Sequence, residues 1–174
     1  MFSNKFTLKN IAIFTVVIAL ASCSDDDEIA NATQLQSAKL QSIVLDVYKS
    51  PTCGCCKKWI SHIKDNGFES KIHSSQNFSF IKDKKGIEPR YRSCHTAISN
   101  DGYVFEGHVP AKFIQQFMKE THADDVIGLS VPAMPVGTPG MEVDDKFQPY
   151  RVLLLKSDGT HEIYANVQSY EEQF

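Results

Sequence analysis

Along this chain the hydrophobic residues change period several times, and each change marks an element. Ile43-Val44-Leu45-Asp46-Val47-Tyr48 has the length and branched apolar content of a buried strand. Ser50-Pro51-Thr52 ends it. Residues 55–66 then put Trp59, Ile60 and Ile63 on one helical face, with Gly67 as the stop. Residues 68–73 read as a short second strand, and residues 78–85 as a helix closed by Gly86 before Pro89. Residues 94–99 and 103–108 form a hairpin pattern around Asp101-Gly102, a strong two-residue turn signal. Residues 111–120 return to helical spacing with Phe113, Ile114 and Phe117 inward, so Trp59 and these rings belong to the core.

The pattern then breaks. Residues 128–149 hold four prolines and three glycines and read as an ordered loop folded over something, because backbone this constrained loses little entropy on ordering. A final hairpin, residues 151–156 and 160–167, turns at Asp158-Gly159 and suits a sheet edge. The fold class expected is α/β: a thioredoxin-like β-α-β-α-β-β-α core with an added Pro/Gly-rich loop and a C-terminal β-hairpin. Three segments follow: a signal sequence over 1–22, a linker over 23–41, and one thioredoxin-like domain over 42–174, a size that buries a core without staples.

The first segment is an address. Lys5 and Lys9 precede an apolar run over 11–21, shorter than the ~20 residues that span a bilayer. It ends in Leu20-Ala21-Ser22-Cys23, which resembles the lipobox of bacterial lipoproteins, so Cys23 is expected to carry lipid and anchor the mature chain to a membrane. Ser24-Asp25-Asp26-Asp27-Glu28 is a solvated acidic tether that also resembles the export tag of some Gram-negative lineages, favouring the outer membrane or cell surface of the envelope. A net charge of −3 with no long basic block argues against nucleic-acid binding.

Chemistry concentrates at Cys53-Gly54-Cys55-Cys56, directly after the first strand. Cys53 and Cys56 have the spacing of a redox pair at a helix start, with Cys53 attacking and Cys56 resolving if the pair is catalytic. Cys55 adds a third thiol, and three clustered thiolates suit Cu(I) or Zn(II) better than dithiol exchange. Adjacent cysteines cannot each reach a distant partner without strain, so the cluster is chemical rather than a disulfide framework. Where thioredoxins place a cis-proline, this chain has Ser93-Cys94-His95-Thr96. A two-residue Asp101-Gly102 loop puts His95 opposite His108; a three-residue loop puts Cys94 there instead. Either register brings His108 back to the cysteines. Met134 and Met141 are weaker thioether candidates, packing being the commoner use of Met. His62, His73, His122 and His161 are assigned ordinary hydrogen-bonding roles, and Tyr91 that of a loop anchor.

Tyr48–Cys56, Ser93-Cys94-His95-Thr96-Ala97, Glu106–Ala111 and Val131–Met141 together resemble the CopG family of bacterial copper-resistance proteins, over roughly residues 43–167. The resemblance implies a thioredoxin-like fold, export to the periplasm or envelope, and copper held by Cys53, Cys55, Cys56 and Cys94 as thiolates with His95 and His108 as the matching imidazoles. The function expected is that of a lipid-anchored envelope protein of copper resistance. It would bind Cu(I) in a Cys-rich site that sulfur bridging can make multinuclear and that is capable of electron cycling. Envelope copper-efflux or copper-carrier proteins are its expected partners. A thiol-disulfide oxidoreductase using Cys53 and Cys56, and a zinc protein using the same ligands, are the alternatives.

Overall fold

The computed structural model describes residues 43–174. Cys23 and the segments expected over 1–22 and 23–41 lie outside the described residues. In chain order the elements are β1 (Ile43–Lys49), α1 (Gly54–Asp65), β2 (Phe68–Ser74), α2 (Ser79–Lys84), a 3-10 turn (Pro89–Tyr91), β3 (His95–Ser99) and β4 (Val104–Gly107). There follow α3 (Ala111–Phe117), β5 (Val126–Val131), β6 (Tyr150–Lys156), β7 (His161–Val167) and a closing 3-10 turn (Tyr170–Gln173). All strands join one mixed seven-stranded sheet in the order β2-β1-β3-β4-β5-β6-β7. β1 runs parallel to β2 and β4 parallel to β5, while the other neighbouring pairs are antiparallel.

Alternation divides the side chains between two cores. Leu45, Val47, Ala97, Phe105 and Leu129 meet Trp59 and Ile63 of α1 and Phe117 of α3 on one face. On the other, Ile98, Val104, Leu153 and Leu155 meet Ile81, Ile87 and Tyr91. Tyr91 does anchor its loop: its hydroxyl lies 2.8 Å from His161 Nδ1.

One expectation needs correction. Residues 128–149 are not all loop, because Val126–Val131 forms β5 in the sheet interior. Gly128 looks like a breaker in the sequence, yet here it serves close backbone approach, its φ being +145°. A Cβ there would lie 1.9 Å from the Val104 carbonyl oxygen. The last hairpin therefore pairs with β5 rather than with the first four strands, leaving β7 at the edge.

The structure also decides between the two hairpin registers that the sequence left open. Thr96 pairs with Glu106 and Ile98 with Val104, and Ser99 N–H donates to the Tyr103 carbonyl at 2.9 Å. The loop is therefore Asn100-Asp101-Gly102, with Gly102 N–H closing back on the Ser99 carbonyl and a φ of +91° at the glycine. This is the three-residue case, so it is Cys94, not His95, that comes opposite His108.

Candidate metal centre

The topology brings five segments to one end of the sheet. β1 ends there and hands the chain to α1. The antiparallel β3 begins there, with Lys49 paired to His95. β4 ends there just before His108, and the parallel β5 ends beside it, so the Pro/Gly-rich loop starts at the same rim.

Cys53 is the N-cap of α1, its sulfur accepting from Cys56 N–H at 3.2 Å. The first turn of a helix has spare N–H groups and the positive end of the dipole, which favour thiolate. Cys53 and Cys56 are joined in a disulfide, while Cys55 and Cys94 carry unbonded thiols. Cys55 Sγ is 3.4 Å from Cys53 Sγ, and Cys94 Sγ is 3.5 Å from Cys56 Sγ. The four sulfurs all lie within 4.8 Å of one another.

Cys94 belongs to a second group as well. Its sulfur is 3.3 Å from His95 Nδ1 and 3.1 Å from His108 Nε2. These three donors also lie within 4.8 Å of one another, so Cys94 is the corner shared by a sulfur group and an imidazole group. His95 and His108 rings stand edge to face at 5.1 Å, and Trp59 packs on His95 at 4.3 Å.

The donors fit a thiophilic ion in their protonation as well as their placement. His108 Nδ1 donates to the Pro139 carbonyl at 2.7 Å; a carbonyl only accepts, so this nitrogen holds the proton and Nε2 keeps a lone pair toward Cys94. Burial lowers the His108 pKa, and lowers that of fully buried His95 well below the ordinary range, assisted by His108, Lys82 and Lys49. Both shifts favour the neutral ring, the form that ligates. His95 Nε2 is buried and has no hydrogen-bond partner among the described residues. Burial, then the neighbouring Cys55 charge, pushes the Cys94 thiol up to about 12. Crowded sulfurs resist sharing negative charge unless a cation sits among them.

The Pro/Gly-rich loop supports this arrangement. Gly140, at φ +89°, lies so close to α1 that a Cβ would come within 2.7 Å of both the Cys55 carbonyl oxygen and Trp59 nitrogen. That contact seats Pro139 over His108. Trp59 Nε1 donates to the Val109 carbonyl at 2.9 Å, and His62 Nε2 accepts Ala111 N–H at 3.0 Å, so α1 also grips the chain just after His108. Met134 is 47% exposed on the loop and Met141 is half-buried. His73 meets Asp46 at 2.5 Å and His122 Nε2 donates to the Phe117 carbonyl at 2.8 Å, the ordinary roles expected of them.

The sequence reading missed a buried ion pair behind the site. Lys82 Nζ lies 2.5 Å from Glu106 Oε1 and donates to Thr96 Oγ1 at 2.8 Å. Burial pulls the lysine pKa down and the carboxyl pKa up. The three-residue register signals it, since it sets Thr96 opposite Glu106 in a strand otherwise apolar on that face.

Fold and site define a class: a mixed α/β domain presenting a soft-donor cluster at one end of its sheet. Residues 91–141 match the family model "Protein of unknown function, DUF411". Two solved structures of Copper resistance protein copG, forms 2 and 1, are 37% and 36% identical to this chain, each with a TM-score of 0.68. Each alignment covers 74% of this chain and all of the solved one. The chain belongs to this CopG-like family. Comparison with curated proteins gives no match.

Proposed function

We propose that this protein holds Cu(I) at the cell envelope as part of copper resistance. The metal is cargo rather than a built-in cofactor, carried by Cys53, Cys55, Cys56 and Cys94 with His95 and His108 completing the donor set. The observation that carries the reading is the position of Cys94 Sγ, 3.5 Å from Cys56 Sγ and 3.1 Å from His108 Nε2. One thiolate serving two donor groups suits a sulfur-bridged multinuclear site, and Cu(I) is the ion that thiolates best support in that form. The strand order β2-β1-β3-β4 with α1 following the first strand supports reading the N-terminal part as a thioredoxin-like core. The names of the relatives support copper over zinc.

The disulfide makes the reading testable. With the Cys53–Cys56 bond closed, two sulfurs are spent on each other; two electrons and two protons restore both thiols. Anaerobic Cu(I) titration against a competing chelator is expected to show tight, saturable uptake after reduction and much lower capacity with the bond closed. Equal uptake in both states would remove the sulfur site. The same disulfide favours a second reading, a thiol-disulfide oxidoreductase, which insulin-reduction turnover by copper-free protein would support. Zinc displacing Cu(I) at equal concentration would favour the zinc alternative.

The lipobox-like Leu20-Ala21-Ser22-Cys23 and the acids after it support an acylated anchor at the outer membrane or surface, with envelope copper carriers or efflux proteins as partners. Intact mass of the membrane fraction should show the acyl addition, and Cys23→Ala should release the protein; an unmodified soluble wild type would contradict this.

A further inference from the structure

Among the described residues the buried Glu106 hydrogen-bonds to no sulfur and no imidazole, yet its bonds bracket the Cys94-His95 dipeptide. Oε1 accepts Ser93 N–H at 2.6 Å, one residue before Cys94. Oε2 accepts the Thr96 hydroxyl at 2.6 Å, one residue after His95. Ser93 precedes β3, so no ladder bond supplies its N–H with a partner, and the carboxylate takes that part. Lys82 compensates the charge from α2 and also donates to Thr96. Glu106 and Thr96 are fully buried and Lys82 is 4% exposed. A buried ion pair is a poor source of stability compared with apolar side chains of the same volume, so stability alone gives little reason for it.

We propose that Glu106, neutralised by Lys82, is a positioning residue that fixes Cys94 and His95 at the metal centre by holding the Ser93 backbone N–H on one side of them and the Thr96 hydroxyl on the other. The proposal deepens the copper reading and rests on it for its significance, though not for its test. Thr96 and Glu106 lie on the sheet face opposite His95, so the carboxylate reaches that ring only through the residues it tethers, Ser93 and Thr96. Ser93 ties the same point to the Pro/Gly-rich loop, its hydroxyl donating to the Ala133 carbonyl. Gly107 passes so close that a Cβ there would come within 2.6 Å of Ser93 Cβ, which leaves Ser93 little room to move while its tethers hold.

The test compares wild type with two double variants of the full chain. Lys82→Met/Glu106→Leu removes charge and tethers together and retains bulk. Lys82→Met/Glu106→Gln removes the charge but keeps an acceptor for Ser93 N–H. The first readout is the alkylation rate of Cys94 by iodoacetamide in copper-free protein, located by peptide mass; the second is Cu(I) affinity by chelator competition. The Leu variant should alkylate about tenfold faster and bind Cu(I) about tenfold or more weakly, the scale of lost outer-shell support, with the Gln variant recovering most of both. A folded Leu variant with wild-type alkylation and affinity would overturn the proposal. If that variant does not fold, Thr96→Val decides, because it cuts one tether and spares the ion pair. It should speed Cys94 alkylation about threefold, and an unchanged rate would refute the proposal. Wild-type protein that binds no Cu(I) would sink the copper reading, while alkylation would still decide the role of Glu106.

Discussion

Cys94→Ser is expected to cost more Cu(I) affinity than any other single change, about 100-fold or more, beyond what losing outer-shell support removes. Serine keeps the size and the hydrogen-bonding capacity but offers a hard, protonated oxygen where a soft thiolate is needed. Cys94 Sγ is the corner shared by the sulfur and imidazole groups, so both lose a member at once. The fold should survive, since the side chain is only partly buried and takes no part in either core. Cu(I) competition by a chelator of known affinity, with thermal melting as the control, checks it. Wild-type affinity in a folded Cys94→Ser protein would leave Cys53, Cys55 and Cys56 as a self-sufficient site.

The largest stability effect is expected from Trp59→Ala. Its side chain is fully buried in the core between α1 and the sheet. Truncation at such a site costs about 3–5 kcal/mol, from lost transfer energy and the cavity left behind. The Val109 carbonyl also loses its donor, and His95 loses the ring packed on it at 4.3 Å. Copper affinity should therefore fall along with stability. Trp59→Phe is the intermediate case: it keeps an aromatic ring but loses the N–H, worth about 1 kcal/mol, together with part of the indole's buried volume, so its loss should fall between wild type and Trp59→Ala. Trp59 is the chain's one tryptophan, so unfolding has to be followed by circular dichroism rather than by its fluorescence. A loss below about 1 kcal/mol for Trp59→Ala would mean that this part of the core can collapse around the gap.

The elements up to α3 were legible because each carried its own period and its own stop signal, Gly67 and Gly86 among them. β5 was not. Its six residues include a glycine and run into Pro132, so local propensity argued for loop, and only the neighbouring Val104 backbone explains why a glycine belongs there. The hairpin showed the converse limit. Asp101-Gly102 announced a turn, but whether two or three residues form the loop depends on ladder hydrogen bonds that sequence does not display. That one-residue difference moved Cys94 into the place opposite His108.

The cysteines could be grouped from spacing alone, since three of them share a single helical turn. What holds the histidines was hidden. The Pro139 carbonyl that sets the His108 tautomer is a backbone group 31 residues away, and no side-chain pattern signals it. Glu106 and Lys82 are 24 residues apart and each looks like an ordinary charged position; their pairing depends on how α2 packs on the sheet. Nor does the C-x-x-C spacing say which state the thiols occupy, whereas the structure joins Cys53 to Cys56.

Copper K-edge X-ray absorption on reduced protein loaded anaerobically with Cu(I) tests the central claim most directly, because it reads the oxidation state and the donor atoms together. The expected spectrum is that of Cu(I) in a sulfur-dominated shell, with a shell that loses sulfur in Cys94→Ser. Copper surrounded only by nitrogen or oxygen, with a spectrum indifferent to substitution of Cys53, Cys55, Cys56 or Cys94, would contradict it.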